Sequence, residues 1–132
     1  MILPQGAVVA VVDGEKLVMF HNTGQATEVE LTAMDLPAVE PGTASRGHHS
    51  SGANPDNDTQ AEDAFAGGVA ALLNRKALDG KFDKLLVIAA PRTLGELRKH
   101  WHKVLQEKLV GEIAKDLAGQ STDQITKAIA AA

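Results

Sequence analysis

The chain has 132 residues, long enough for a buried core, with 44% apolar and 23% charged residues, the balance of an ordinary globular chain. Its formal net charge of −4, its lack of tyrosine and its single tryptophan argue against a general nucleic-acid binder or a platform for stacking single-stranded bases. No cysteine is present, which excludes disulfides and thiolate metal sites and points to a reducing, cytoplasmic setting.

The N-terminal stretch from Met1 to Gly6 has neither the basic start nor the apolar part of a signal peptide. No apolar run approaches the ~20 residues that span a bilayer, so membrane insertion is not expected. Length predicts one domain over 1–132. Ala7 to Val12 is continuously apolar and β-branched, the pattern of a strand buried on both faces. Asp13-Gly14 is a strong hairpin signal, and Leu17 to His21 returns as a second strand. A third, half-exposed strand is predicted over Ala26 to Leu31, where Thr27, Val29 and Leu31 alternate with Glu28 and Glu30. That strand would form an edge through which two copies could pair, with Glu28 and Glu30 acting against it.

From Pro37 to Asn57 the composition turns to Gly, Ser, His, Asn and Pro. This predicts a long mobile loop at about 37–57. Order resumes with Thr59-Gln-Ala-Glu62, a capping-box pattern. A helix follows, with Ala61, Ala64, Phe65, Val69, Leu72, Leu73 and Ala77 on one stripe. Gly67-Gly68 in mid-helix implies a close approach to the sheet. Asp79-Gly80 ends the helix, and Lys84 to Ala90 reads as a buried strand running straight into Pro91.

Thr93-Leu-Gly-Glu96 is a second capping box, opening one helix from Thr93 to Lys108 with Leu94, Leu97, Trp101, Val104 and Leu105 inward. Leu109 to Leu117 is ambiguous. Leu109, Ile113 and Leu117 suit a helix, whereas Gly111 and the order of elements favour a short strand over Val110 to Leu117. Ser121-Thr-Asp-Gln124 caps a last helix carrying Ile125 and Ile129. The predicted fold is α/β, a three-layer mixed sheet in the order β-β-β-α-β-α-β-α with parallel crossovers.

This order is similar to the ribonuclease H-like arrangement and to the middle domain of archaeal and eukaryotic peptide-chain release factors. The residues Val11-Val-Asp-Gly14, Ala64-Phe65-Ala66, Ala90-Pro-Arg-Thr-Leu-Gly-Glu-Leu-Arg98 and Glu112-Ile-Ala-Lys-Asp-Leu117 carry a narrower likeness over nearly the whole chain. They resemble the bacterial family of proteins required for attachment to host cells, itself related to those release-factor domains. The resemblance implies a role in contact with a host, which a cytoplasmic protein would exert indirectly.

The candidate chemistry is incomplete. A two-metal nuclease needs converging carboxylates. Asp13 with Glu62 or Asp63 would supply some of them, but the buried strand ends in Ala89-Ala90-Pro91, and Asp13 has an ordinary role as a turn residue. The Gly-Gly-Gln tripeptide with which release factors hydrolyse peptidyl-tRNA does not occur. The loop offers Arg46, His48 and His49, where a histidine could act as general base, with no orienting partner identifiable.

Histidine spacing matches no metal motif, so neither a metal nor another cofactor is expected. The helix after the buried strand is the better surface. It has Arg92, Arg98, Lys99, Lys103 and Lys108 against Glu96 and Glu107, a net of +3. Arg92 and Thr93 stand at its start, where free N–H groups favour an anion, although Arg92 could equally pair with a nearby acid. A non-catalytic binding module is therefore expected, docking to RNA, the ribosome or an acidic protein, as monomer or homodimer. The alternative is a ribosome-associated hydrolase of peptidyl-tRNA or RNA.

Overall fold

A computed structural model describes residues 1–36, 39 and 57–132. Apart from Val39 and Asn57, the loop predicted at about 37–57 lies outside the described residues, and with it Arg46, His48 and His49. Strand β1 (Val8–Val12) is buried along its whole length. It pairs antiparallel with β2 (Leu17–Asn22), from Val8↔His21 to Val12↔Leu17. Asp13 closes the turn between them as a hairpin residue should, its Oδ1 accepting from the amides of Glu15 (2.7 Å) and Lys16 (2.6 Å).

The third strand differs from expectation. It is β3 (Leu31–Ala33), three residues long and paired with β2 from Phe20↔Ala33 to Asn22↔Leu31. The alternating segment Ala26–Glu30 belongs instead to a compact reversal, closed by Gln25 and Glu28 bonding each other's backbone. The cause is Asn22, 1% exposed. Its Oδ1 accepts from the amides of Gly24 (2.9 Å) and Glu30 (3.0 Å). Its Nδ2 donates to the carbonyls of Leu3 (3.0 Å) and Gln25 (3.3 Å). One buried amide thus gathers the N-terminal segment and residues 23–30, and alternation without a ladder is not a strand. The edge pairing expected through Ala26–Leu31 loses its strand with it.

Helix α1 (Asn57–Leu78) begins before the predicted cap, so Thr59 lies inside it and the capping box is not formed. Its inner face buries Ala64, Ala66, Val69, Ala70, Leu73 and Ala77, with Gly67 and Gly68 buried among them and Ala61 exposed. Gly80, at φ +72°, follows the helix end, a backbone conformation that glycine adopts without strain. Strand β4 (Leu85–Ala89) then runs parallel to β1, Val8↔Leu85 to Val12↔Ala89.

The single helix expected from Thr93 to Lys108 is two. Helix α2 (Pro91–Arg98) uses Pro91 at its first position and has Ala90 as a cap without a side-chain bond. Thr93 and Glu96 therefore make no capping box. Helix α3 (Lys103–Lys108) is capped by His102, whose Nδ1 accepts from the Val104 amide at 3.1 Å. Asn74 of α1 fills the break, donating to the His100 carbonyl and accepting from the His102 amide, both at 2.8 Å.

The ambiguous segment is a strand, β5 (Leu109–Ala114), parallel to β4 with Ile88↔Ile113. It stops short of the predicted Leu117. Helix α4 (Thr122–Ala131) is capped as expected by Ser121, whose Oγ accepts from the Gln124 amide at 3.2 Å.

The sheet order is β3-β2-β1-β4-β5, a mixed α/β architecture in three layers. One core lies between the sheet and α1 to α3. It holds Val8, Ala10, Val12, Leu85 and Val87 with Val69, Leu73, Leu97, Trp101 and Leu105. The other lies against α4 and joins Val9, Val11, Leu86, Ile88 and Ile113 to Ile125 and Ile129. Alternate residues of β1 and β4 feed opposite cores, as side chains on successive strand positions must. Among the described residues no helix is long and apolar enough to cross a membrane.

Candidate functional site

The carboxyl ends of β1, β4 and β5 share one edge of the sheet, because those strands are parallel. Ligands of open α/β sheets bind outside that edge. Here it carries the Asp13–Gly14 turn after β1, Arg92 after β4, and the first part of α1. Arg92 Nη1 donates to Glu62 Oε2 and Nη2 to Asp63 Oδ1, each at 3.1 Å. Glu62 also lies close over Gly14, so that a Cβ there would meet its Cγ at 2.7 Å. The turn, the helix and the arginine thus meet at this point, and a side chain at residue 14 would displace the flexible Glu62 side chain that binds Arg92.

The predicted site residues therefore divide. Asp13, Glu62, Asp63 and Arg92 do come to the same edge. Arg92 takes its alternative role, engaged by two acids, and the cluster of one cation with two carboxylates does not favour an anion. Asp13 spends its Oδ1 on the turn. Thr93 is half-buried in the first turn of α2.

The rest of the predicted basic face is also largely committed. Arg98 Nη2 donates to Glu112 Oε1 at 2.8 Å, and this hydrogen bond, with the attraction of the carboxylate, raises the pKa of the guanidinium above its ordinary value. Lys99 Nζ donates to Glu96 Oε1 at 3.0 Å, and His100 Nε2 lies 3.2 Å from Glu96 Oε2. Lys108 faces inward, its Nζ donating to the carbonyls of Ala77 (3.1 Å) and Phe82 (2.9 Å). Lys103 is exposed and has no ion-pair partner among the described residues. Sequence reasoning missed Glu112 and Asn74, because their partners lie on other elements.

Burial alone would push the Glu96 carboxyl up, yet the hydrogen bonds and charges of Lys99 and His100 bring it below the ordinary 4.5. A depressed folded-state pKa stabilises above the unfolded value and is lost as pH falls through the folded one. Glu96→Gln is thus expected to cost less than about 1 kcal/mol near pH 7, in the range of surface ion pairs. The difference from wild type should vanish as the acid limb is descended below pH 4.5. Urea titrations at neutral and acid pH measure it, and a gap that widens in acid contradicts the assignment.

Residues 6–129 match the family model described as "Bacterial archaeo-eukaryotic release factor family 12". No curated protein matches the chain.

Proposed function

The chain belongs to bacterial archaeo-eukaryotic release factor family 12, and from that membership we propose that it is a non-catalytic, cytoplasmic module that docks to ribosomal or other RNA. The observation that carries the non-catalytic part is the commitment of charged groups at the sheet edge. Among the described residues at that edge, Arg92, Glu62 and Asp63 bind one another and Asp13 holds its turn, so each charged group there already has a partner. The absence of Gly-Gly-Gln from the 132 residues supports the same reading.

The proposed contacts at this end are Arg92, Thr93, Arg98, Lys99 and Lys103. Arg92, Arg98 and Lys99 are more than half exposed, and exposed ion pairs are worth only about 0–1 kcal/mol. A docking phosphate exchanges for Glu112 at Arg98 and for Glu96 at Lys99, while Glu62 and Asp63 oppose it at Arg92. The likeness of Ala90–Arg98 to host-attachment proteins adds a process, contact with a host, on which such a module acts indirectly.

Co-sedimentation with bacterial ribosomes tests the proposal. Binding at low salt, released by raised salt and weakened by Arg92→Ala with Arg98→Ala, is the expected result. No binding at low salt removes the proposal. Turnover of peptidyl-tRNA that disappears in a His48→Ala, His49→Ala variant would replace it with the hydrolase alternative.

A further inference from the structure

Among the described residues a second group of cations without ion-pair partners gathers at the C-terminal end of α1 (Asn57–Leu78), about 20 Å along the helix from the Glu62 and Asp63 that hold Arg92. Between Arg75 and Lys84 the chain carries Arg75, Lys76, Lys81 and Lys84 against Asp79 and Asp83, within a chain of net charge −4. Arg75, Lys81 and Lys84 are exposed and Lys76 is half-buried. None of the four makes an ion pair among the described residues. Leu78, a large apolar side chain, stands among them 56% exposed.

The backbone beneath these cations is held firmly. The amide of Asp79 donates to the Arg75 carbonyl and that of Lys81 to the Lys76 carbonyl, at 2.9 Å each. Lys108 reaches in from the end of α3 to bind the carbonyls of Ala77 and Phe82. Stabilisation of the negative end of the α1 dipole accounts for Arg75 and Lys76, which occupy its last turn. It does not account for Lys81 and Lys84, which follow the helix.

We propose that the 75–84 turn is an RNA-docking surface, its four cations contacting backbone phosphates and Leu78 a sugar or base. The proposal rests on the RNA-binding reading above and locates its main anchor. Cations with no internal carboxylate to exchange give the larger gain on meeting phosphate, so this turn should outweigh the paired face of α2. An acidic protein is the competing partner for the same charge.

The test uses the full chain, a labelled single-stranded oligouridylate and purified ribosomes. Binding of Lys81→Glu with Lys84→Glu is compared with that of a charge-matched control, Lys115→Glu with Lys127→Glu, after circular dichroism has shown equal folding. The turn variant is expected to bind both probes about tenfold more weakly. Its dependence of log affinity on log salt, between about 50 and about 200 mM, should be shallower by about 1.4, at about 0.7 per lost contact on single strands. Loss equal to the control's, or no loss, overturns this inference and leaves the proposed function standing. Turn-dependent ribosome binding without oligouridylate binding replaces RNA with an acidic protein. No binding of wild type to either probe at low salt overturns the functional proposal itself.

Discussion

Asn22→Ala is expected to remove about 3 kcal/mol of folding stability and to lower the melting temperature by about 10 °C. The substitution deletes an amide that serves four backbone groups, the carbonyls of Leu3 and Gln25 and the amides of Gly24 and Glu30. Buried polar groups left without partners cost about 1–3 kcal/mol each when water cannot reach them. The reversal at 23–30 lies near the surface, so only part of the total is expected. Asn22→Asp should do no better at neutral pH, since it turns a carboxylate oxygen toward two carbonyls. Urea denaturation of both variants is the measurement. A loss below about 0.5 kcal/mol, the range of ordinary surface substitutions, would mean that the reversal is held by something else.

Ile88→Ala is the second large expectation, a loss of about 4 kcal/mol. Ile88 is fully buried in β4, beside Val11 of β1 and Ile113 of β5, in the core that α4 closes with Ile125 and Ile129. Removing three carbons there forfeits transfer energy and leaves a cavity, for which Ile→Ala changes in cores run at about 2–5 kcal/mol. A site walled by strands on both sides cannot collapse easily, which favours the upper part of that range. Leu78→Ala serves as the contrast, because Leu78 is largely exposed and its change should fall within about 0.5 kcal/mol. Similar losses in the two variants would show that the α4 face is not a packed core.

What could be read from the sequence was what depends on neighbours along the chain. The unbroken β-branched run of β1, the Asp13 turn, the apolar run of β4 and the Ser121 cap of α4 are local signals, and each describes the structure. The failures have distant causes. Thr27, Val29 and Leu31 alternate correctly, yet Asn22 draws that segment into a reversal. The residues from Thr93 to Lys108 keep a helical stripe, yet Asn74, on another helix, satisfies backbone groups that let the chain break at Trp101. Both Thr-x-x-Glu patterns match a capping box, yet each helix starts two residues earlier, α2 on Pro91, whose fixed φ suits the first helical position. In the candidate site the cations were visible from their spacing. Which of them already had a carboxylate was not, because Glu62, Asp63 and Glu112 reach Arg92 and Arg98 only across the fold.

The placement of β4 between β1 and β5 also sets a schedule for folding. The β4–β5 seam joins strands separated only by α2 and α3, whereas the β1–β4 seam must bring together residues with β2, β3 and all of α1 between them. Closing the larger loop restricts more chain before any contact offsets it. The C-terminal half is therefore expected to organise around β4 apart from the β1–β2 hairpin, with their joining the slow event. Refolding speed should respond to substitutions in Val9 and Leu86, which meet across that seam, and unfolding speed to those in α4.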